Sequence, residues 1–290
     1  MSTPGFAEFE QKWLVEWPEN RAVAVFLDPA QRRRAHAFGV LVHELSLAAF
    51  HVREPQVAAT KLEWWRQELG SAAFGNPHHP ITQELFADDA VREADPALWP
   101  ALADGALAQL DQPGAGTLAA LIEQLEPFHG TVATAESALL LGGAGSPEAN
   151  AALWTFSHLL HGLPTLASGE GRLPVPLGLL ARHGLARTDL AQPSPARSRL
   201  LKDFLDELVL EMNGALGVAS ARTLRMCTRV RLDRDLIAGA LKSHDPLPYL
   251  LTHARPGYWS SLWAAWREAR AAARQALNST AQAHGQGAGL

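Results

Sequence analysis

Cysteine is almost absent from this sequence, since Cys227 is the only one among 290 residues. A lone thiol excludes an internal disulfide and a zinc site built on cysteines, and it is typical of a protein from a reducing compartment. A charged start followed by an apolar run and a cleavage site, as in a secretory leader, is also missing. We therefore predict a cytoplasmic protein.

Two further absences limit the classes of partner. No apolar run approaches the roughly 20 residues that a membrane-spanning helix requires. The 25 Lys and Arg residues are scattered and the net charge is −5, whereas a nucleic-acid-binding surface needs a concentrated basic patch. The sequence predicts neither a transmembrane segment nor a nucleic-acid partner. Peripheral contact with a membrane stays open.

Helical periodicity is what the sequence has in abundance. After the start signal Asp28-Pro29, apolar residues recur at helical spacing as far as Ala49, which predicts one helix from Pro29 to Phe50. Period-two alternation rich in Val, Ile and Thr, which would indicate a strand, is missing. We therefore predict an all-α protein.

The same signals divide the rest of the chain into helices. The predicted ranges are 55–70, 81–93, 96–110, 117–141, 147–163, 177–183, 196–221, 231–241 and 259–277. No linker separates them, so we predict one helical domain over residues 1–277. The polar, Gly-rich remainder, 278–290, is predicted to be a flexible tail.

Three stretches of the chain carry a resemblance to a known family. They are Leu62-Glu63-Trp64-Trp65-Arg66-Gln67-Glu68-Leu69, Phe128-His129-Gly130-Thr131-Val132-Ala133 and the segment 170–185, which includes Arg172. In this order they resemble the squalene/phytoene synthase family, and the similarity extends from about residue 26 to 270. The resemblance implies the isoprenoid synthase fold, a single-domain bundle of long helices around a central cavity that takes a prenyl chain.

The resemblance also implies a chemistry that needs metal ions. Family enzymes join two prenyl diphosphates head to head, and Mg²⁺ bridges each diphosphate to carboxylates at i and i+4 of two Asp-rich motifs. The first motif should fall within 38–47, where Glu44 is the only acid, and the second within 157–167, which has none. Asp88 and Asp89 are adjacent and point about 100° apart on a helix, which makes a poor clamp. We predict no catalytic residue, no metal ligand and no cofactor.

Other polar side chains stand near the positions of the missing aspartates. His43 and Glu44 lie on one predicted helix, and His158 and His161 lie at i and i+3 on another. We predict that they form a structural polar cluster in the former pocket, and a transition-metal site is the alternative. Together with Phe128 and Arg172 they are the pocket candidates.

Three functions are compatible with these observations. The favoured one is a catalytically degenerate family member that binds an isoprenoid or lipid chain or acts as an accessory or assembly factor. In its eroded motifs it is similar to the branch that contains the mitochondrial complex I assembly factor. The alternatives are an active head-to-head prenyl diphosphate transferase that holds Mg²⁺ through unconventional ligands, and a helical interaction module with a protein partner.

Tryptophans bear on the last alternative. Trp259, Trp263 and Trp266 fall at i, i+4 and i+7, on one face of the last predicted helix. We expect them to pack in the core, as we expect of the motif residues Trp64 and Trp65. Contact between subunits or with a membrane surface is the alternative.

Overall fold

The computed structural model describes residues 5–168 and 172–287, with side chains up to residue 275. Within these ranges all regular secondary structure is helical, which confirms the all-α prediction. The α-helices are α1 (Phe6–Glu16), α2 (Glu19–Val23), α3 (Pro29–Phe50), α4 (Pro55–Ala73), α5 (Pro80–Leu85), α6 (Asp89–Arg92), α7 (Leu98–Leu107), α8 (Leu118–Leu140), α9 (Pro147–Gly162), α10 (Leu177–Arg182), α11 (Pro195–Val218), α12 (Leu224–Lys242), α13 (Pro246–His253) and α14 (Tyr258–Gly287).

Side-chain caps set the beginnings of four long helices, α3, α8, α11 and α12. Asp28 accepts a hydrogen bond from the Gln31 amide at 2.8 Å, and Pro29 occupies the first helical position. Because both signals are local, α3 has the bounds that the sequence predicts. Thr117, Ser194 and Thr223 cap α8, α11 and α12 in the same way.

Several predicted boundaries are wrong. The range predicted as one helix over 81–93 forms two, because the Asp88 side chain accepts from the Ala90 amide and starts α6. Helix α12 begins at Leu224, before the predicted residue 231. Its beginning was not recognised because the buried charged residues Arg229 and Asp233 interrupt the apolar pattern of the helix. Helices α1, α2 and α13 were not predicted. The predicted tail lies partly in α14, which runs to Gly287, and partly outside the described residues.

The two larger apolar clusters of the described residues form most of the interior, and α8 belongs to both. One cluster joins α1, α3, α4 and α7 to the C-terminal half of α8 around Phe38, Trp65, Trp99 and Phe128. The other joins the N-terminal half of α8 to α9, α11, α12 and α13 around Phe204. Helices α3, α8, α9 and α12 therefore meet between the clusters. No helix of the described residues is long and apolar enough to cross a bilayer.

The tryptophans do not all join this interior. Trp65 is 2% exposed, as the sequence predicts, whereas Trp64 is 45% exposed. Trp259 and Trp263 are 77% and 60% exposed, and Trp266 is 37% exposed. The prediction of core packing is therefore wrong for Trp64 and for the three tryptophans of α14, because the buried faces of α4 and α14 are formed by other residues.

Candidate functional site

A small cavity of about 90 Å³ lies where α3, α8, α9 and α12 meet. Helix α3 contributes Gly39, Val42, His43 and Ser46, which are spaced as one helix face. Helix α9 contributes its own face through Trp154, Ser157 and His158. No carboxylate stands among these cavity-facing positions of α3 and α9. These are the two segments in which the Asp-rich motifs were expected.

Bulky side chains fill the space beside α3. A Cβ at position 39 would lie 2.5 Å from the Trp13 ring and 3.1 Å from an Arg225 guanidinium nitrogen, so Gly39 is what admits both groups. Arg225 lies over the rings of Trp13 and Trp154, at 5.3 and 4.8 Å from their centroids. A cationic guanidinium therefore stands next to the first expected motif.

Behind Trp154, a buried carboxylate is held by hydrogen bonds. Glu136 accepts from Trp154 Nε1 at 2.8 Å and from Thr223 Oγ1 at 2.9 Å. Burial raises the pKa of Glu136 above its usual value, although Arg225 opposes this effect. Glu136 therefore fixes the position of the Trp154 ring, which lines the small cavity.

A buried ion network borders the small cavity through Glu19 and Arg229, which line it. Arg229 on α12 donates to Glu19 Oε1 at 2.7 Å and to Asp233 Oδ1 at 3.0 Å, and its other amino group contacts the His161 ring. Burial alone would raise the pKa of Asp233, but Arg229 and His161 outweigh it and hold that pKa well below its usual range. Burial followed by the charge of Arg229 lowers the pKa of His161. Asp233 is thus ionised, and the Arg229 guanidinium balances its charge.

A larger cavity of about 550 Å³ extends along the other side of α9. Its walls are mainly apolar. The apolar residues come from the end of α3, from α8 and α9, and from the segments after α7 and α9: Ala49, Phe50, Leu110, Leu121, Leu125, Leu159, Leu173 and Pro174. Polar groups also line it, including His51, Asp111 and Arg172. Arg172 lies over the Phe50 ring at 5.4 Å and donates to the Gln109 carbonyl oxygen.

Aromatic rings separate the two cavities. His158 lines both, and the centroid of the Phe50 ring lies 4.3 Å from its imidazole. Phe128 and His129 complete the partition, with His129 5.3 Å from His158. Burial, reinforced by His51 and Arg172, lowers the pKa of His158 to about 3, so the imidazole is neutral near pH 7. The single central cavity implied by the resemblance is therefore divided.

The structure distributes the pocket candidates over four places. His43 and Phe128 line the small cavity, Arg172 lines the larger one, and His158 lines both. His161 belongs to the ion network. Glu44 lies outside this group, because its carboxylate accepts from Lys61 Nζ at 3.3 Å on the side of α4. The expected cluster of Glu44 with the three histidines is therefore not formed.

The Trp-Trp-Arg motif lies away from both cavities. Trp65 packs in the core, and the Trp64 ring borders a separate surface groove of α4. Arg66 donates to Glu63 at 2.7 Å in an exposed pair one helical turn apart. His79, which packs against both tryptophan rings, also caps α5. The motif thus supports the helix packing beside the site.

Four charged residues of the site were missed by sequence reasoning: Glu19, Arg225, Arg229 and Asp233. The last three stand at i, i+4 and i+8, a spacing that puts them on one face of α12. This signal was readable, but the helix was predicted to begin at residue 231, after both arginines. Glu19 carries no signal in the sequence, since it meets Arg229 only in the folded chain.

The described residues do not fit a magnesium cluster. A hard cation bridging a diphosphate needs several oxygen ligands in near-octahedral geometry. In the described part of the chain, no group of three or more His, Cys, Asp or Glu side chains could hold a metal ion. Glu19 and Asp233, the acids beside the small cavity, share the Arg229 guanidinium instead.

Comparison with known proteins decides the family. The profile of squalene/phytoene synthases matches residues 19–236, which include α3 to α11 and most of α12. The chain belongs to the squalene/phytoene synthase family. This confirms the resemblance carried by the three motifs. No similar sequence was found among the curated proteins.

Solved structures of the same fold agree with this squalene/phytoene synthase assignment. A dehydrosqualene synthase in complex with a ligand has a TM-score of 0.66 at 16% identity, over 93% of this chain and 96% of its own. The squalene synthase HpnC from Alicyclobacillus acidocaldarius has a TM-score of 0.63 at 13% identity, over 86% of this chain and 95% of its own. At such identities, the likeness shows the isoprenoid synthase fold.

Proposed function

We propose that this squalene/phytoene synthase-family protein binds an isoprenoid or another lipid chain without transferring prenyl diphosphates. One observation carries the proposal: Arg229 supplies the positive charge that balances Glu19 and Asp233. Coordination of Mg²⁺ by these acids would require the guanidinium to leave them, which would strand a buried cation. The Arg229 side chain thus neutralises the two carboxylates, as a bound metal ion would.

The larger cavity supports the ligand part of the proposal. Its volume of about 550 Å³ lies within the roughly 300–1,000 Å³ of small-molecule sites, and apolar residues form the larger part of its lining, as is usual for such sites. An apolar chain would lie against Phe50, Leu125 and Leu159, with Arg172 available to an anionic end. The related dehydrosqualene synthase was itself crystallised with a ligand. Such binding without catalysis would suit an accessory or assembly factor.

Farnesyl diphosphate tests binding and catalysis in one design. Calorimetric titration of the full chain should show binding that is unchanged by added Mg²⁺, and a pyrophosphate assay should show no release with any divalent metal. Farnesol, which has the chain without the diphosphate, should bind more weakly than farnesyl diphosphate. Metal-dependent pyrophosphate release would establish the alternative, an active transferase with unconventional ligands.

A matched pair of variants locates the ligand. Val52 lines the larger cavity, so Val52→Trp should fill it and reduce farnesyl diphosphate binding. Val57, which is 56% exposed on α4, lies outside this cavity, so Val57→Trp serves as the control. Equal binding by both variants would place the ligand elsewhere, and absence of binding by the unmodified chain would refute the ligand proposal.

A further inference from the structure

The first half of α14 presents an aromatic face to solvent. Tyr258 is 49% exposed and is followed by Trp259, Trp263 and Trp266. The Trp263 and Trp266 rings stack at 5.0 Å, and Tyr258 meets Trp259 edge to face at 5.5 Å. Trp259 and Trp263 are four residues apart and therefore neighbours on the helix surface. The exposed rings follow one another along α14 and form a surface that we call the tryptophan face. A contiguous exposed apolar surface of this kind marks an interaction site.

The opposite side of α14 explains why this face stays exposed. Ser261, Ala264 and Ala265 are buried, and α14 packs on α2 and α12. One turn further on, Glu268 forms an ion pair with Arg231 of α12. These small residues and the ion pair anchor the helix in one rotation, and that rotation turns the three tryptophans outward.

Charge distinguishes the tryptophan face from the rest of the protein. Arg267, Arg270 and Arg274 are exposed and continue the same face towards the C-terminus. The Arg270 guanidinium lies over the Trp266 ring at 5.2 Å. Glu268 is the only acid on α14, and Arg231 already neutralises it. The chain has a net charge of −5, so this surface is positively charged on a protein that is negatively charged overall.

We propose that the tryptophan face docks on an anionic membrane surface, with α14 lying along it. Tryptophan and tyrosine rings favour the boundary between lipid headgroups and acyl chains, where one end is apolar and the other is wet. The neighbouring arginines would meet lipid phosphates, as they do in helices that lie flat on membranes. This inference is independent of any ligand in the larger cavity.

A second copy of the chain is the less suitable occupant. In a two-fold interface the same surface meets itself. Burial of the tryptophan face against its copy would enclose the guanidinium groups of Arg267, Arg270 and Arg274 from both chains. No unpaired carboxylate among the described side chains of α14 would balance them. A surface of anionic lipid supplies the missing negative charge.

Vesicle sedimentation of the full chain tests the docking. The protein should pellet with phosphatidylcholine vesicles that contain about one quarter phosphatidylglycerol, and less with phosphatidylcholine alone. Trp259→Ala with Trp263→Ala should reduce the bound fraction about tenfold. Replacement of Arg267, Arg270 and Arg274 by Gln should weaken binding and abolish its decrease with salt.

A matched control uses other exposed aromatic side chains. Trp64 and Phe74 are 45% and 84% exposed on and just after α4, so Trp64→Ala with Phe74→Ala should leave sedimentation unchanged. Circular dichroism would establish that every variant is folded. The proposal is overturned if the unmodified protein does not bind anionic vesicles or if the control variant loses as much binding. It is also overturned if light scattering shows that the tryptophan face only mediates self-association.

Discussion

Where α2, α9 and α12 meet, the Arg229 guanidinium is enclosed by Glu19, Asp233 and His161, whereas around the larger cavity Arg172 and His158 border open space. Both regions lie on the family's helices, on opposite sides of a wall of aromatic rings. In the first region, Arg229 balances the charges of Glu19 and Asp233, and the described residues contain no group of three or more His, Cys, Asp or Glu side chains that could hold a metal ion. In the second, polar groups remain next to an apolar volume. The proposed loss of metal binding and the proposed ligand site therefore depend on different residues of the fold.

The largest effect is expected from a substitution that disrupts the ion network around Arg229. Arg229→Met leaves Glu19 and Asp233 buried without a counter-charge, which should lower the free energy of unfolding by about 3–5 kcal/mol. Urea unfolding at pH 7 measures it. Addition of Glu19→Gln and Asp233→Asn should recover much of the loss. Arg182, which is exposed in its pair with Glu207, provides the control Arg182→Met, and an equal loss there would contradict a special role for the network.

The second prediction concerns His158, which separates the two regions. Its folded-state pKa of about 3 lies below its usual value of 6.5, so the unfolded chain binds more protons between these values. Stability is therefore complete above about pH 6.5 and is lost as the pH falls towards 3, and His158 alone would account for about 2 kcal/mol between pH 6.5 and 5.

Unfolding measured across this pH range would check the effect of His158. His158→Phe keeps an aromatic ring in the wall and should reduce the slope of stability against pH. The remaining slope would come from the other histidines whose pKa values burial lowers, namely His43, His79, His129 and His161. A slope unchanged from that of the unmodified protein would contradict the prediction. Exposed His244, replaced by Phe, is the control.

A third prediction tests whether Arg172 contacts a ligand in the larger cavity. Arg172→Ala should weaken farnesyl diphosphate binding about tenfold, equivalent to about 1.4 kcal/mol, because a charge-assisted contact to the anionic end is lost. Calorimetry measures the change. Farnesol binding should be affected much less, since it lacks the diphosphate. Equal weakening for both ligands would show that Arg172 shapes the cavity without contacting the anionic end.

The smallest effect is expected for the family motif outside both regions. Arg66 and Glu63 form an exposed pair, and screening by solvent leaves such pairs little effect on stability. Arg66→Gln should therefore leave both the unfolding free energy and farnesyl diphosphate binding nearly unchanged. A strong loss of farnesyl diphosphate binding in this variant would show that the motif affects the ligand. It would contradict the assignment of ligand binding to the larger cavity alone.

Local signals explain why much of the fold was predictable. Capping residues and prolines at the first helical position act within one turn, so α3 was predicted with its true bounds and α9 to within one residue. The buried charges of α12 hid its apolar pattern, and its beginning was missed. In the candidate site, His43, Phe128, His158 and Arg172 were found because family motifs lie close to them. Glu44 was placed in the wrong group, since helix spacing alone does not tell which neighbour a side chain faces.

The sequence by itself determined the helical class, the family and the absence of carboxylates from the expected motif positions, because each depends on residue type and short-range spacing. Only the tertiary structure decided which charges meet. Glu19 and Arg229 are separated by 210 positions, and their pairing depends on how α2 and α12 pack. The same holds for the tryptophan face, whose spacing suits a core or a surface equally well. Packing of α14 on α2 and α12 through small residues on its opposite side turned it to the outside.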